Sequence, residues 1–293
     1  MSTHIPHHNQ QWETFHHLNE TIGYNYLKIL KSINWYWGLP VDSIAITIEP
    51  KILIAYPNAK EFADVLSIVS EIVDEVLINI DSQSFSIKAL DPSKIAMLSI
   101  NLPPEAFQEY RVSEEVSIGI AVSVLSKILK QLKKSDRITI AANNEHVEIL
   151  VEGMSIRRYK FKNLEVIAEE APELTPEYDV EASILSSPLR TTLSELTSIS
   201  STTGITAKDD TVLFFDYDTK KSIYRLTTTS GTVINLNIRK ESTAAYDSEY
   251  LSKIIEMLKL SNIVELKYGS KAPLHLSIEF AGGRIEYFLA IKM

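Results

Sequence analysis

The chain contains no cysteine in 293 residues, which excludes disulfides and thiolate metal sites. No apolar run approaches the ~20 residues that a membrane-spanning helix requires. The opening MSTHIPHHNQ lacks the basic and then apolar layout of a secretory signal. A cytoplasmic protein is therefore expected. An excess of positive charge is missing too: the formal net charge is −9 and the pI about 5.4. A general nucleic-acid binder draws its affinity from neutralising phosphates, so this balance argues against one unless the basic residues are clustered.

The equipment of an enzyme is also scarce. No G-x-x-x-x-G-K-[ST] loop occurs, and beyond residue 50 the histidines are only His146 and His275. His146 follows Asn143-Asn144-Glu145, a turn pattern that leaves a histidine solvated. His275 alternates with Leu274 and Leu276, which reads as a surface-facing strand position. The carboxylates are spaced as helix faces and a linker, not as a metal cluster. Catalysis, a cofactor and a metal are not expected from the body of the chain. Five of the seven histidines, His4, His7, His8, His16 and His17, lie in the first seventeen residues. They could hold a metal, but a disordered tail of incidental affinity is the simpler reading.

What is present is an α+β pattern. Ile52–Tyr56 reads as a strand closed by Pro57-Asn58. Asn58 with Glu61 three positions later reads as a helix start, and Phe62, Val65, Leu66, Val69, Ile72 and Val73 then recur at helical spacing. Short strands are predicted at 76–80, 85–89, 96–102, 137–142, 146–151 and 157–161. A second helix is predicted over about 121–134. The segment 165–178, EVIAEEAPELTPEY, is acidic, carries two prolines and reads as a linker. Beyond it the chain starts again. LSKILKQLKKS at 125–135 and LSKIIEMLKLS at 251–261 agree at seven of eleven positions, with an offset of 126. A weaker echo at offset 127 relates Leu66-Ser67 to Leu193-Ser194 and Asp91 to Asp218. Self-similarity at long period marks a duplicated unit. The expected organisation is an extension at 1–50, a first domain at 51–163, a connecting loop at 164–178 and a second domain at 179–293.

Six segments then carry a resemblance. They are Tyr56-Pro-Asn-Ala-Lys-Glu-Phe62, Ala89-Leu-Asp-Pro-Ser-Lys-Ile95, Leu102-Pro-Pro-Glu-Ala-Phe-Gln-Glu-Tyr-Arg111, Ser126-Lys-Ile-Leu-Lys130, Ala272-Pro-Leu274 and Tyr287-Phe-Leu-Ala290. In this order they resemble the DNA sliding clamps of the proliferating cell nuclear antigen family. Within it, Lys162-Asn-Leu-Glu-Val166 and Gly282-Gly-Arg-Ile-Glu-Tyr-Phe-Leu-Ala290 are most similar to one subunit type of the crenarchaeal clamps built from three different subunits. The resemblance implies a clamp fold of two similar domains, each with two helices packed on antiparallel sheet, closing into a trimeric ring around duplex DNA. It implies a processivity factor that needs no cofactor of its own. The implied partners are replication factor C as loader, DNA polymerase, DNA ligase and flap endonuclease. A clamp-like scaffold with a specialised repair role is the alternative, and a DNA-modifying enzyme the distant one.

Three surfaces follow from that resemblance. The DNA-facing residues would be Lys60, Lys127, Lys130, Lys133, Lys134, Arg190, Lys253 and Lys259. Lys127, Lys130 and Lys134 are spaced to share one helix face, for which a solvated face is the simpler reading, but basic positions recur in both halves of an acidic chain. Scattered lysines suit a ring that must attract phosphates without reading bases. Glu61, Asp64, Glu71, Asp74 and Glu75 around the first helix should weaken its attraction. A pocket for partner peptides would be lined by Leu90, Lys94, Ile95, Met97, Ala171, Leu174, Pro273, Phe288 and Ala290, with Ile291 where the family usually has proline. The ring joint would use Arg157, Tyr159 and Phe161 on one edge strand and Ile223 and Arg225 on another, placed at about 222–226. Both edges are basic, with Arg158 and Lys160 on the first and Lys220 and Lys221 by the second. A mixed ring is therefore expected over a self-made one. Family members begin near the equivalent of Ile54, so one reading of residues 1–52 is an upstream translation with Leu53 as the true start. An intact native mass near 33.0 kDa would exclude it.

Overall fold

The computed structural model describes residues 44–167 and 176–292. The chain divides into two units, Met1–Ala45 and Ile46–Met293, and every element named below lies in the second. The N-terminal histidines, Ala171 and Leu174 fall outside the described residues.

The first half runs β1 (Ile52–Tyr56), α1 (Ala59–Ser70), β2 (Val76–Ile80), β3 (Phe85–Leu90), β4 (Ala96–Leu102), β5 (Glu109–Val112), β6 (Val116–Ile120), α2 (Val122–Leu129), β7 (Arg137–Ala142), β8 (His146–Glu152) and β9 (Arg157–Lys162). The second repeats that order: β10 (Val180–Leu185), α3 (Ser186–Ile199), β11 (Thr202–Lys208), β12 (Thr211–Asp216), β13 (Ile223–Thr227), β14 (Val233–Ile238), β15 (Thr243–Asp247), α4 (Ser248–Lys253), β16 (Ile263–Tyr268), β17 (Leu274–Phe280) and β18 (Gly283–Leu289). Sheet order repeats as well. The set β5-β1-β7-β8-β9 matches β14-β10-β16-β17-β18, and β6-β2-β3-β4 matches β15-β11-β12-β13. Within the chain β18 pairs with β4, which fuses two of these four sets into one nine-stranded antiparallel sheet. Among the described residues, the equivalent strands β9 and β13 end the other two sheets as open edges.

The helices form one layer against the sheets. α1 packs on α2, α3 packs on α4, and a 3-10 turn at Ile255–Lys259 contacts both α1 and α3. α1 begins where the capping pattern predicts: the Asn58 Oδ1 accepts from the Glu61 backbone N–H at 3.2 Å, and Phe62, Val65, Leu66 and Val69 are buried.

α2 is shorter than its periodicity predicts and stops at Leu129. Leu132 turns back into the core. The Lys133 N–H donates to the carboxylate of buried Asp136 at 3.0 Å, so a side chain takes a backbone donor that a longer helix would use internally. Lys133 and Lys134 therefore sit in a turn, not on the helix. Its counterpart breaks likewise, with α4 ending at Lys253 before the 3-10 turn.

The echo of Asp91 is also displaced. Asp91 and Asp216 each close a hairpin, with Lys94 and Lys220 in left-handed backbone (φ 59° and 55°) donating to their carbonyls at 2.8 and 2.9 Å. Asp216, not Asp218, is the equivalent, because the second loop is one residue longer.

Candidate nucleic-acid interface and docking surfaces

On the helix layer the basic residues divide by what surrounds them. Lys60 pairs with Asp64 one turn on, at 2.5 Å. Lys253 lies 4.0 Å from Glu249 and over the Tyr250 ring, and Lys259 pairs with Glu256. Among the described residues no ion pair involves Lys127, Lys130, Lys133, Lys134 or Arg190. Uncompensated positive charge is thus concentrated on α2 and the turn that follows it. Arg190 and Lys259 line one cleft of about 430 Å³ with Ser187, Ser261 and Asn262. The acids beside α1 matter less than their number suggests, since Glu71, Asp74 and Glu75 lie past its last residue.

The second surface is built on the nine-stranded sheet. Asp91, marked in the sequence only as part of the weaker echo, organises its loop. Its buried carboxylate accepts from the backbone N–H groups of Ser93, Ile95 and Ala96 at 2.9, 2.6 and 2.5 Å, and from the Tyr250 hydroxyl at 3.0 Å. This holds Lys94 and Ile95 exposed at the rim. The Ile95 carbonyl then accepts from Ala290 N–H at 2.9 Å, which joins the loop to the C-terminal tail. Pro273 is half-buried at the head of β17 and Ala290 is exposed.

Strand register carries the sheet's outward face further. Leu90 pairs with Met97, Met97 with Phe288, Phe288 with His275, His275 with Lys267 and Lys267 with Glu181. Met97 is buried but stands apart from the main core cluster, so its burial comes from this outward row. The apolar half of the row ends at His275. This histidine is not surface-facing as expected: its side chain is 12% exposed and its ring lies parallel to Phe288 at 4.3 Å. The ring of Tyr178, at the end of the connecting loop, stacks on it at 6.0 Å. The His275 Nε2 meets a Glu286 carboxylate oxygen at 3.0 Å, and this bond, against the opposing effect of burial, holds the Glu286 carboxyl below the usual range. Burial and the neighbouring Glu286 and Glu181 push the Tyr178 phenol up to about 12. Strand alternation marked His275 as sharing Phe288's face only once the register was known.

The third surface is the pair of open edges. On β9, Arg157 lies 3.6 Å from Asp136 and Lys160 lies 3.4 Å from Glu148, while Tyr159 and Phe161 pack partly against the core. On β13, Ile223 is 61% exposed and Arg225 lies 3.9 Å from Asp210. Lys220 and Lys221 stand in the preceding loop and not on the strand. Beside β9, Ile120, Val124, Phe161 and Leu164 line an apolar cleft of about 180 Å³. Val124 of α2 is half exposed there.

A doubled α+β fold with one joint made internally and the same joint left open at both ends defines a class: a subunit that joins others head to tail. Comparison with known proteins is consistent. Residues 54–170 match the family model described as proliferating cell nuclear antigen, N-terminal domain. The chain is 31% identical over 242 residues to DNA polymerase sliding clamp 1 of Sulfurisphaera ohwakuensis, covering 82% of this chain and 99% of that one. It is 27% identical over 241 residues to the DNA polymerase sliding clamp of Thermofilum pendens, covering 81% and 98%. In fold it is similar to a chain of the PCNA2–PCNA3 complex of Sulfolobus tokodaii, with a TM-score of 0.77, 23% identity and coverage of 82% and 99%. The chain belongs to the DNA polymerase sliding clamp family, that of the proliferating cell nuclear antigen.

Proposed function

We propose that this chain is one subunit of a ring that encircles duplex DNA and tethers replication and repair enzymes to it. The observation that carries this is the pair of open edges, β9 and β13, whose internal equivalents β18 and β4 are already joined. Repeating that joint between subunits gives a head-to-tail assembly. Its helix layer would line the hole, with the free lysines of α2 supplying weak, sequence-independent attraction to phosphates. The domain division is 51–163 and 179–293, joined by 164–178. The chain works by tethering and not by catalysis, in a prokaryotic, nucleoid-associated setting. Primer extension tests this. The chain with its sister subunits and an ATP-driven loader should lengthen polymerase products, and no lengthening at any subunit ratio would refute the reading.

The internal joint also supplies a register. In β18·β4, Tyr287 pairs with Leu98 and Glu286 with Ser99. The ladder registers carry the core-facing Tyr287 and Leu98 onto Tyr159 and Tyr224, which also face the core. The same equivalence carries Glu286 and Ser99 onto Arg158 and Arg225. A self-made joint would then set Arg158 opposite Arg225, and like charges directly opposite disfavour pairing. An internal partner tempers that repulsion, since Asp210 lies beside Arg225. A neighbour with an acidic or neutral residue at this position is preferred, so the ring is mixed.

The outward row from Leu90 to Phe288, with Lys94, Ile95, Pro273 and Ala290 at its rim, is the docking surface for partner peptides. An aliphatic and aromatic floor suits a peptide that inserts hydrophobic anchors and adds its backbone to the tail. The partners in this reading are the loader, polymerase, ligase and flap endonuclease.

A further inference from the structure

Along β8, Val147, Ile149 and Val151 point into the core, so Glu148 faces the opposite side of the sheet, where a carboxylate is ordinarily wet. Glu148 is nevertheless completely buried. A carboxylate taken out of water must be matched by donors, or the fold will not hold it charged. Two of its donors come from one residue upstream of the family match. Thr47 donates its backbone N–H to the Glu148 Oε2 at 2.7 Å and its hydroxyl to the Oε1. The third is the Lys160 ammonium of edge strand β9, 3.4 Å from the Oε1. The segment between Thr47 and β1 is fastened as well. The Asn143 amide donates to the Glu49 carbonyl at 3.2 Å, the Lys51 N–H to the Ala142 carbonyl at 2.8 Å, and the Ser113 N–H to the Lys51 carbonyl at 2.8 Å.

We infer that residues 46–51 form a clasp, absent from the matched family core, that seals the buried Glu148 carboxylate through Thr47 and so holds Lys160 in place on the edge strand where a neighbouring subunit docks. The clasp itself stands on contacts within this chain, and only its link to docking rests on the ring reading above. Burial alone would raise the Glu148 carboxyl, but the bonds from Thr47 and Lys160 outweigh it and hold it below its ordinary range.

A double-mutant cycle on the full chain tests the inference without requiring assembly. Thr47→Val keeps the shape and the N–H but removes the hydroxyl. It is expected to lower Tm by about 3 °C or more and to speed amide exchange in β8 and β9. Glu148→Leu, of similar volume and uncharged, should abolish that sensitivity, so that Thr47→Val on this background changes neither readout. A chain starting at Leu53 should melt below the full chain, and Glu148→Leu should narrow that gap without closing it, since the Glu49 and Lys51 bonds and the buried Ile52 are lost as well. The inference is overturned if Thr47→Val leaves both readouts unchanged, or if its effect is the same with and without Glu148. Should the shortened chain fail to fold, the point-variant cycle decides alone. Loss of ring formation with an intact cycle would count against the ring reading and not against the clasp.

Discussion

Single residues do most of their work here through backbone donors. Asp91 accepts three N–H groups and a tyrosine hydroxyl. Asp91→Ala is expected to cost about 2–4 kcal/mol in denaturant unfolding, because buried donors lose an ionised acceptor. It should also weaken peptide capture, since Lys94 and Ile95 hang from the same loop. The carboxylates set the pH behaviour. Glu286 and Glu148 are held below their ordinary range by His275 and by Thr47 with Lys160. A depressed folded-state value contributes stability above the unfolded-state pKa of about 4.3, and this is lost as pH falls through the folded value. Thermal melts between roughly pH 6 and pH 2 should show a falling Tm, with a shallower slope in Glu286→Gln. An unchanged slope would remove Glu286 from this account.

At the scale of elements, the connecting loop and the edges carry the informative features. Gly119 on β6 lies so close to the loop that an added Cβ would sit 2.0 Å from the Leu164 carbonyl oxygen. Its N–H donates to the Asn163 side chain at 2.8 Å and its carbonyl accepts from Leu164 at 3.0 Å. Gly119→Ala should therefore displace the start of the loop, seen as faster proteolysis within 164–178, while the core helices stay protected from exchange. The register carried over from β18·β4 predicts that Arg225→Glu raises self-association of the lone chain by about tenfold or more in sedimentation, as like charges become opposite ones. The wild-type chain alone should stay below trimer at micromolar concentration, and a stable trimer there would end the argument for a mixed ring.

For the whole molecule, the question is how an acidic protein of net charge −9 holds DNA. In the proposed ring the answer is distribution, since the lysines of α2 and its following turn have no acidic partner among the described residues while Lys60 is paired with Asp64. Lys127→Glu with Lys130→Glu should shorten residence on nicked circular DNA several-fold and flatten its dependence on salt. Lys60→Glu should do far less. Equal losses from both would mean that net charge, and not placement, governs retention.

Local pattern in the sequence determined much of this. Apolar patterning located seven of the nine strands in the first half, Asn58 with Glu61 located the start of α1, and the repeated LSK-I segments announced a duplicated body. These signals survive in one dimension because each depends on neighbours within a turn or a strand. Other features were decided only by tertiary structure. Short polar β5 exists because β1 pairs with it, and α2 stops early where Leu132 turns back into the core. His275 joined the outward row of Phe288 and Met97 only when β17 paired with β18. Glu148 became a sealed charge only when residues preceding the first strand folded over it. Cross-strand register and burial join residues far apart in the chain, and periodicity carries no record of such partners.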